Sequence, residues 1–131
     1  MALRLFDTNI VSFLFKRHSL GVRYLPHLSG HDLVISFMTP AEMMEGALRA
    51  HWSAARIARL EADLLTYRVI ESSPEVCQKW ADVRYERRTQ PIAVDDDWIA
   101  ATALVYGAEL VTHNPADFQG ITGLTIITEA P

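Results

Sequence analysis

What most limits the fold of this chain is a steady alternation of short apolar runs with longer segments of helical period. Residues 3–6 form a short β-like run that stops at Asp7, and residues 10–16 then read as a first helix. A Gly30-His31-Asp32 turn signal precedes a continuous apolar run over 33–37, the pattern of a strand buried on both faces. Thr39-Pro40 opens the next helix, with proline tolerated in its first turn. Residues 51–65 repeat Trp52, Ala55, Ile57, Leu60 and Leu64 at helical spacing; 67–70 is a strand candidate; Ser73-Pro74 starts a helix to about Arg88. After Pro91 the spacing predicts a helix over 99–106 that Gly107 ends, then strands over 110–112 and, from its β-branched content, 124–128. Such an order predicts an α/β fold: a parallel sheet covered by helices, with ligands bound beyond the carboxyl ends of the strands.

At 131 residues the chain fits one domain, residues 1–131, with a core large enough to need neither disulfide nor structural metal. Its only cysteine, Cys77, lies in a helical pattern and reads as packing, which points to a reducing, cytoplasmic compartment. No leader or membrane-spanning run stands out, and a soluble, unexported protein is expected. Half of the residues are hydrophobic, more than a small monomer needs, so self-association or a protein partner is expected. The formal net charge of −4 argues against a plain phosphate-binding module. The cations nevertheless cluster: Arg49, Arg56 and Arg59, then Arg84, Arg87 and Arg88, either as solvated helix faces or as phosphate contacts.

The acids fall at the strand-to-helix junctions. Asp7 follows the first strand, Glu42 the second, Asp95, Asp96 and Asp97 open a later helix, and Asp117 follows the strand that ends near Thr112. Each has an ordinary reading. Asp7 or Asn9 can cap a helix, Thr39 and Glu42 match a capping box, and Asp117 can be a turn residue after Asn114-Pro115. Within the triplet, Asp95 is expected as N-cap, with Val94 and Ile99 as a hydrophobic staple. Asp96 projects with Ile99, Ala100 and Ala103 toward the inward face, while Asp97 lies on a neighbouring face. An inward carboxylate needs a cation, and this helix supplies none. Four acids from remote segments, Asp7, Glu42, Asp96 and Asp117, are expected to converge at one end of the sheet with no basic residue in the same short segments. Hard oxygen donors of this kind suit Mg²⁺ or Mn²⁺.

These residues resemble a known family. D-T-N at Asp7 to Asn9, T-x-x-E-x-x-x-G at Thr39, Glu42 and Gly46, D-x-x-I-A-A-T-A from Asp96 to Ala103, and T-x-N-x-x-D-F from Thr112 to Phe118 together resemble the PIN-domain ribonucleases, and among them the small toxins of VapBC-type toxin–antitoxin pairs. The resemblance implies a three-layer α/β/α sandwich around a parallel sheet. It also implies a Mg²⁺- or Mn²⁺-dependent endoribonuclease that leaves a 5′-phosphate and a 3′-hydroxyl, forms a homodimer, and is inhibited by a cognate antitoxin. Asp7, Glu42 and Asp96 match the family's core acids, with Asp7 and Asp96 holding metal and Glu42 assisting. Asp117 matches a fourth, more variable acid, and Asn114 stands where some relatives place an acid. Asn9 and Thr112 match supporting polar residues. Ile10, Phe13, Leu14, Met43 and Met44 are candidates for an antitoxin groove, and Trp98 for packing. Two other classes compete: a PIN-like module that binds RNA or a protein without chemistry, and a phosphoryl-transfer protein with Asp7 as nucleophile. The second lacks an acid two residues on, where Asn9 stands, and a lysine for the phosphoryl group.

Overall fold

A computed structural model describes residues 3–131. Five short strands form one sheet: β1 (Leu3–Phe6), β2 (Asp32–Ser36), β3 (Arg68–Ile70), β4 (Glu109–Val111) and β5 (Ile126–Ile127). All pairings are parallel, in the order β3-β2-β1-β4-β5. The chain builds outward from β1 in one direction through β2 and β3, then returns to β1's other edge for β4 and β5. The order therefore reverses at β1, and a crevice opens between the carboxyl ends of β1 and β4.

Among the described residues six helices cover the sheet: α1 (Thr8–Phe15), α2 (Ser19–Val22), α3 (Met38–Arg49), α4 (Ala54–Leu64), α5 (Pro74–Glu86) and α6 (Val94–Tyr106). Successive strand residues point to opposite faces, which divides the core in two. Leu5, Val34 and Leu110 pack with Val83 of α5 and with Ile99, Ala100 and Ala103 of α6. Phe6, Ile35 and Val111 pack with Ile10 and Val11 of α1, Met43 and Ala47 of α3, and Leu60 of α4. The result is the expected α/β/α sandwich. Among the described residues no helix is long and apolar enough to cross a membrane.

Several boundaries differ from the sequence reading for identifiable reasons. Helix α4 begins only at Ala54, because Ser53 caps it, its Oγ accepting from the Arg56 amide at 3.2 Å. The chain before it turns at His51, which takes a positive φ of 57°. The region after α1 carries structure that apolar periodicity did not reveal: α2, a 3-10 turn over Leu25–His27, and a fully buried Tyr24 whose hydroxyl meets His113 Nδ1 at 2.5 Å. Cys77 is exposed on α5 and not packed in the core; Val76 beside it takes the buried position.

Helix α6 ends as expected on Gly107, at φ 62° and ψ 29°. Its amide reaches Leu104 O at 3.3 Å, and Ala108 N bonds Ala103 O at 2.9 Å, closing the helix before β4. A side chain at this left-handed position strains the backbone. Gly107→Ala is therefore expected to lower unfolding free energy by about 1 kcal/mol, read as a lower denaturant midpoint with an unchanged slope.

Candidate active site

The crevice at the switch point is a cleft of about 670 Å³. Asp7, Glu42, Asp96, Asn114 and Asp117 all line it, together with Asn9. The expected convergence of four acids is thus what the fold produces.

Asp7 leaves the end of β1, whose direction is fixed by the Asp7 amide bonding Val111 O of β4 at 2.9 Å. The carboxylate then does two things. Oδ1 accepts the Thr8 amide at 2.8 Å, so Asp7 is also the N-cap of α1. Oδ2 accepts the Thr112 hydroxyl at 2.7 Å, and that hydroxyl oxygen accepts the Asn114 amide at 3.1 Å. Asn9 Oδ1 takes the His113 amide at 3.4 Å, which ties α1 to the same loop. Capping and site-building are not alternatives here, because each carboxylate oxygen keeps a further lone pair for a ligand.

Glu42 does not close a capping box. Helix α3 starts one residue earlier than Thr39, after Phe37, and Ser36 Oγ accepts the Met38 amide at 3.1 Å. Thr39 is freed to point into the interior, where its hydroxyl and that of Thr8 lie 2.9 Å apart. Thr8 Oγ1 donates to Glu42 Oε1 at 2.7 Å. One hydroxyl has one proton, so Thr39 must donate to Thr8 and Thr8 to Glu42, a directed chain that aims the glutamate at the cleft. Thr8, the middle residue of D-T-N, was missed as a site residue; its only sequence signal is its place between two polar site positions.

The aspartate triplet divides differently from the helical-wheel expectation. The N-cap of α6 is Ala93, with no side-chain cap bond, and Val94 is half exposed, so neither the Asp95 cap nor the staple forms. Pro91 and the extended Ala93, at ψ 144°, start the helix one residue before Asp95 and leave that residue exposed in the first turn. The fully buried member is Asp97, at 1 % exposure, and its cation comes from the neighbouring helix: Arg84 Nη1 of α5 donates to Asp97 Oδ2 at 2.7 Å. Trp98 packs as expected, stacked on Trp80 at 4.9 Å and edge-on to Phe37. Asp96 is half-buried and faces the other acids.

The acids repel one another. Burial pushes the Asp7 carboxyl above its usual range, opposed by the Thr112 and Thr8 hydrogen bonds, and the Asp117 charge pushes it further. Burial likewise raises Glu42 against the Thr8 hydrogen bond, with Asp95 and Asp7 adding to the rise. Asp96 is raised to about 7, first by burial and then by the charges of Asp7, Asp117, Glu42 and Asp95. No salt bridge among the described residues reaches these four acids.

Among the described residues no three acidic, histidine or cysteine side chains are drawn together as a finished metal cage. Magnesium does not ask for one, since it binds one or two carboxylates and keeps several waters. The donor chemistry fits a hard divalent cation: oxygen ligands only, unneutralised, at the open mouth of a parallel sheet. The far wall of the cleft is of opposite character, carrying Lys16, Trp52 and Arg56. Of the residues proposed for a partner groove, Met43 lines the cleft, Phe13 and Leu14 line a separate, smaller depression, Met44 is partly buried and Ile10 is core.

Fold and site together define a parallel-sheet protein with an acid-lined cleft at its topological switch point. The chain belongs to the PIN domain family, whose model matches residues 4–123. It is 37 % identical over 125 residues to ribonuclease VapC1 of Haemophilus influenzae strain R2866, covering 90 % of this chain and 91 % of that one. It is 28 % identical over 120 residues to the tRNA(fMet)-specific endonuclease VapC of Shigella flexneri, at 90 % and 91 % coverage. A chain of a toxin–antitoxin complex from Klebsiella pneumoniae superposes with a TM-score of 0.76 at 31 % identity, over 95 % of this chain and 96 % of that one.

Two outcomes follow from the electrostatics. Asp96 has a folded pKa above its ordinary value of 3.8, so its contribution to stability is present below that value and is lost as pH rises through about 7. Without divalent metal, Asp96→Asn is expected to raise the melting temperature most at pH 8, less at pH 5, and hardly at all below pH 3.8. The gain is on the order of 1–2 kcal/mol once discounted for the solvent that reaches the group. Arg84→Ala should be destabilising by on the order of 2–3 kcal/mol, less than for a fully enclosed pair because Arg84 reaches solvent. Arg84→Ala with Asp97→Asn should recover part of that loss in the same denaturation experiment.

Proposed function

We propose that this protein is a metal-dependent endoribonuclease that cleaves RNA phosphodiester bonds as the toxin of a toxin–antitoxin pair and is held inactive by a cognate antitoxin. The observation that carries the reading is the meeting of Asp7, Glu42, Asp96 and Asp117 in one cleft, none of them in a salt bridge among the described residues. The kinship to a ribonuclease and to a chain of a toxin–antitoxin complex supports the RNA substrate and the antitoxin partner.

The catalytic residues in this reading are Asp7, Glu42, Asp96 and Asp117, with Asp7 and Asp96 as metal ligands and Asn9, Thr112 and Asn114 in support. A Mg²⁺ or Mn²⁺ ion bound there supplies a water of lowered pKa and offsets charge on the phosphodiester. Thr112 fixes which Asp7 lone pairs remain for a ligand, by donating to Oδ2. The Thr39–Thr8–Glu42 chain holds Glu42 in one orientation and opposes part of the rise that burial imposes on its carboxyl, so that it can serve as the acceptor for a proton from an attacking water. Asn9 supports the acids by tying α1 to the loop after β4 through the His113 amide, and Asn114 lines the cleft where some relatives place an acid. The protein acts in the cytoplasm as a homodimer, and its apolar surplus serves that interface and the antitoxin.

A cleavage assay on end-labelled RNA with Mn²⁺ or Mg²⁺ tests the reading. Asp7→Asn, Glu42→Gln and Asp96→Asn are each expected to lower the rate at least 100-fold, a typical size for lost acid–base or charge-stabilising groups. Asp95→Asn should keep most activity. Cleavage that persists in chelator, or an equal loss for Asp95→Asn, would count against it.

A further inference from the structure

The six arginines that cluster in the sequence do not share one fate. Arg49 pairs with Glu45 on α3. Arg84 is taken by Asp97. Arg88 lies over the Tyr85 ring and donates to the Tyr85 carbonyl. That leaves Arg56, Arg59 and Arg87 with no acid within ion-pair distance among the described residues.

Those three stand on either side of the acidic centre. On one side, Arg56 and Lys16 line both the acid-lined cleft and a neighbouring depression of about 870 Å³. That depression adds Arg17 and Arg59 and contains one acid, Asp63. Arg56 is held in place there: its guanidinium lies 3.8 Å from the Trp52 ring centroid, and Phe15 stacks at 5.7 Å on Trp52. With Arg56 and Phe15 both packed on its ring, Trp52 acts as a pedestal rather than a platform for a base. A guanidinium lying on an aromatic ring keeps its N–H edge for an oxyanion. Arg17 adds an outlier, a non-glycine residue at φ 53° where the chain leaves α1.

On the other side, a depression of about 490 Å³ is shared between Arg87 and two of the acids, Asp96 and Asp117. The Arg87 guanidinium packs against a glycine: a Cβ on Gly120 would sit 2.3 Å from Arg87 Nη1, so the side chain occupies space that the bare backbone leaves open. Its Nε is buried with no hydrogen-bond partner.

The three depressions are therefore joined through shared residues, cationic at each end and acidic in the middle. We propose that they form one path for single-stranded RNA, with Arg56 and Lys16 binding a phosphate on one side of the scissile bond and Arg87 a phosphate on the other. This rests on the nuclease reading and adds the substrate's route to it. A chain of evenly spaced negative charges fits the order cation, metal site, cation. The cations lie in the two end depressions and the acids between them, an order that follows a single backbone.

The test uses the Asp96→Asn protein, expected to cleave at least 100-fold more slowly, and a fluorescent single-stranded RNA of mixed sequence, with affinity measured by anisotropy across a salt series. Arg56→Ala and Arg87→Ala, made in that background, should each weaken binding roughly 3- to 10-fold near physiological salt and flatten the log K against log salt slope by about 0.7. Arg49→Ala and Arg88→Ala should leave both unchanged. Active protein carrying only the arginine changes is then given substrates shortened 5′ or 3′ of the cut. The penalty of Arg56→Ala should vanish with one truncation and that of Arg87→Ala with the other. Slopes equal to those of the Arg49 and Arg88 variants overturn the path, as does a penalty for both variants that follows the same flank. So does an Arg56 or Arg87 effect confined to binding of an acidic peptide, which would mark a protein-docking surface. Wild-type cleavage in metal with any of these results leaves the nuclease reading standing. Melting curves separate lost contacts from lost folding.

Discussion

Everything at the functional end of this molecule depends on carboxylates held close together where the sheet order reverses. Asp7 sits there because β1 lies between β2 and β4 and its amide bonds the end of β4. Asp96 sits there because α6 runs back over the sheet on small residues, with Ala100, Ala101 and Ala103 fully buried. The repulsion that follows is the reason Asp96 rises to about 7. Hydroxyls relieve part of it at Asp7 and Glu42 and position the groups they relieve. Arg84 of α5 is committed elsewhere, to Asp97. Among the described residues no salt bridge reaches the centre.

That division explains how three consecutive aspartates coexist. A helix separates neighbours by about 100°, so they enter three environments. Asp95 meets solvent, Asp96 the cleft, and Asp97 the interface of α5 and α6. Only the last of these needs a protein cation, and Arg84 supplies it across that interface.

Much of this was legible in the residues. Strand order of appearance, the parallel sheet, the Gly107 stop and the gathering of four acids all follow from period and position. The local assignments at the helix starts were less legible. Thr39 and Glu42 fit a capping box in sequence, yet α3 begins before Thr39 and the pair serves the cleft instead. Asp97 was hard to place because its partner lies 13 residues away on another helix, a contact no single-helix projection contains. Tyr24 and its bond to His113 span 89 residues and lie in a stretch without clear period. The arginine clusters were visible, but their separation into paired and unpaired members depends on which acids the fold brings near.

The central claim is that the acidic centre is completed by a divalent cation bound through Asp7 and Asp96. The most direct measurement is Mn²⁺ binding to the purified protein by titration calorimetry near neutral pH. The account predicts saturable binding that is lost in Asp7→Asn and in Asp96→Asn but retained in Asp95→Asn. Mn²⁺ affinity unchanged by the first two substitutions, or no binding by the wild type, would contradict it.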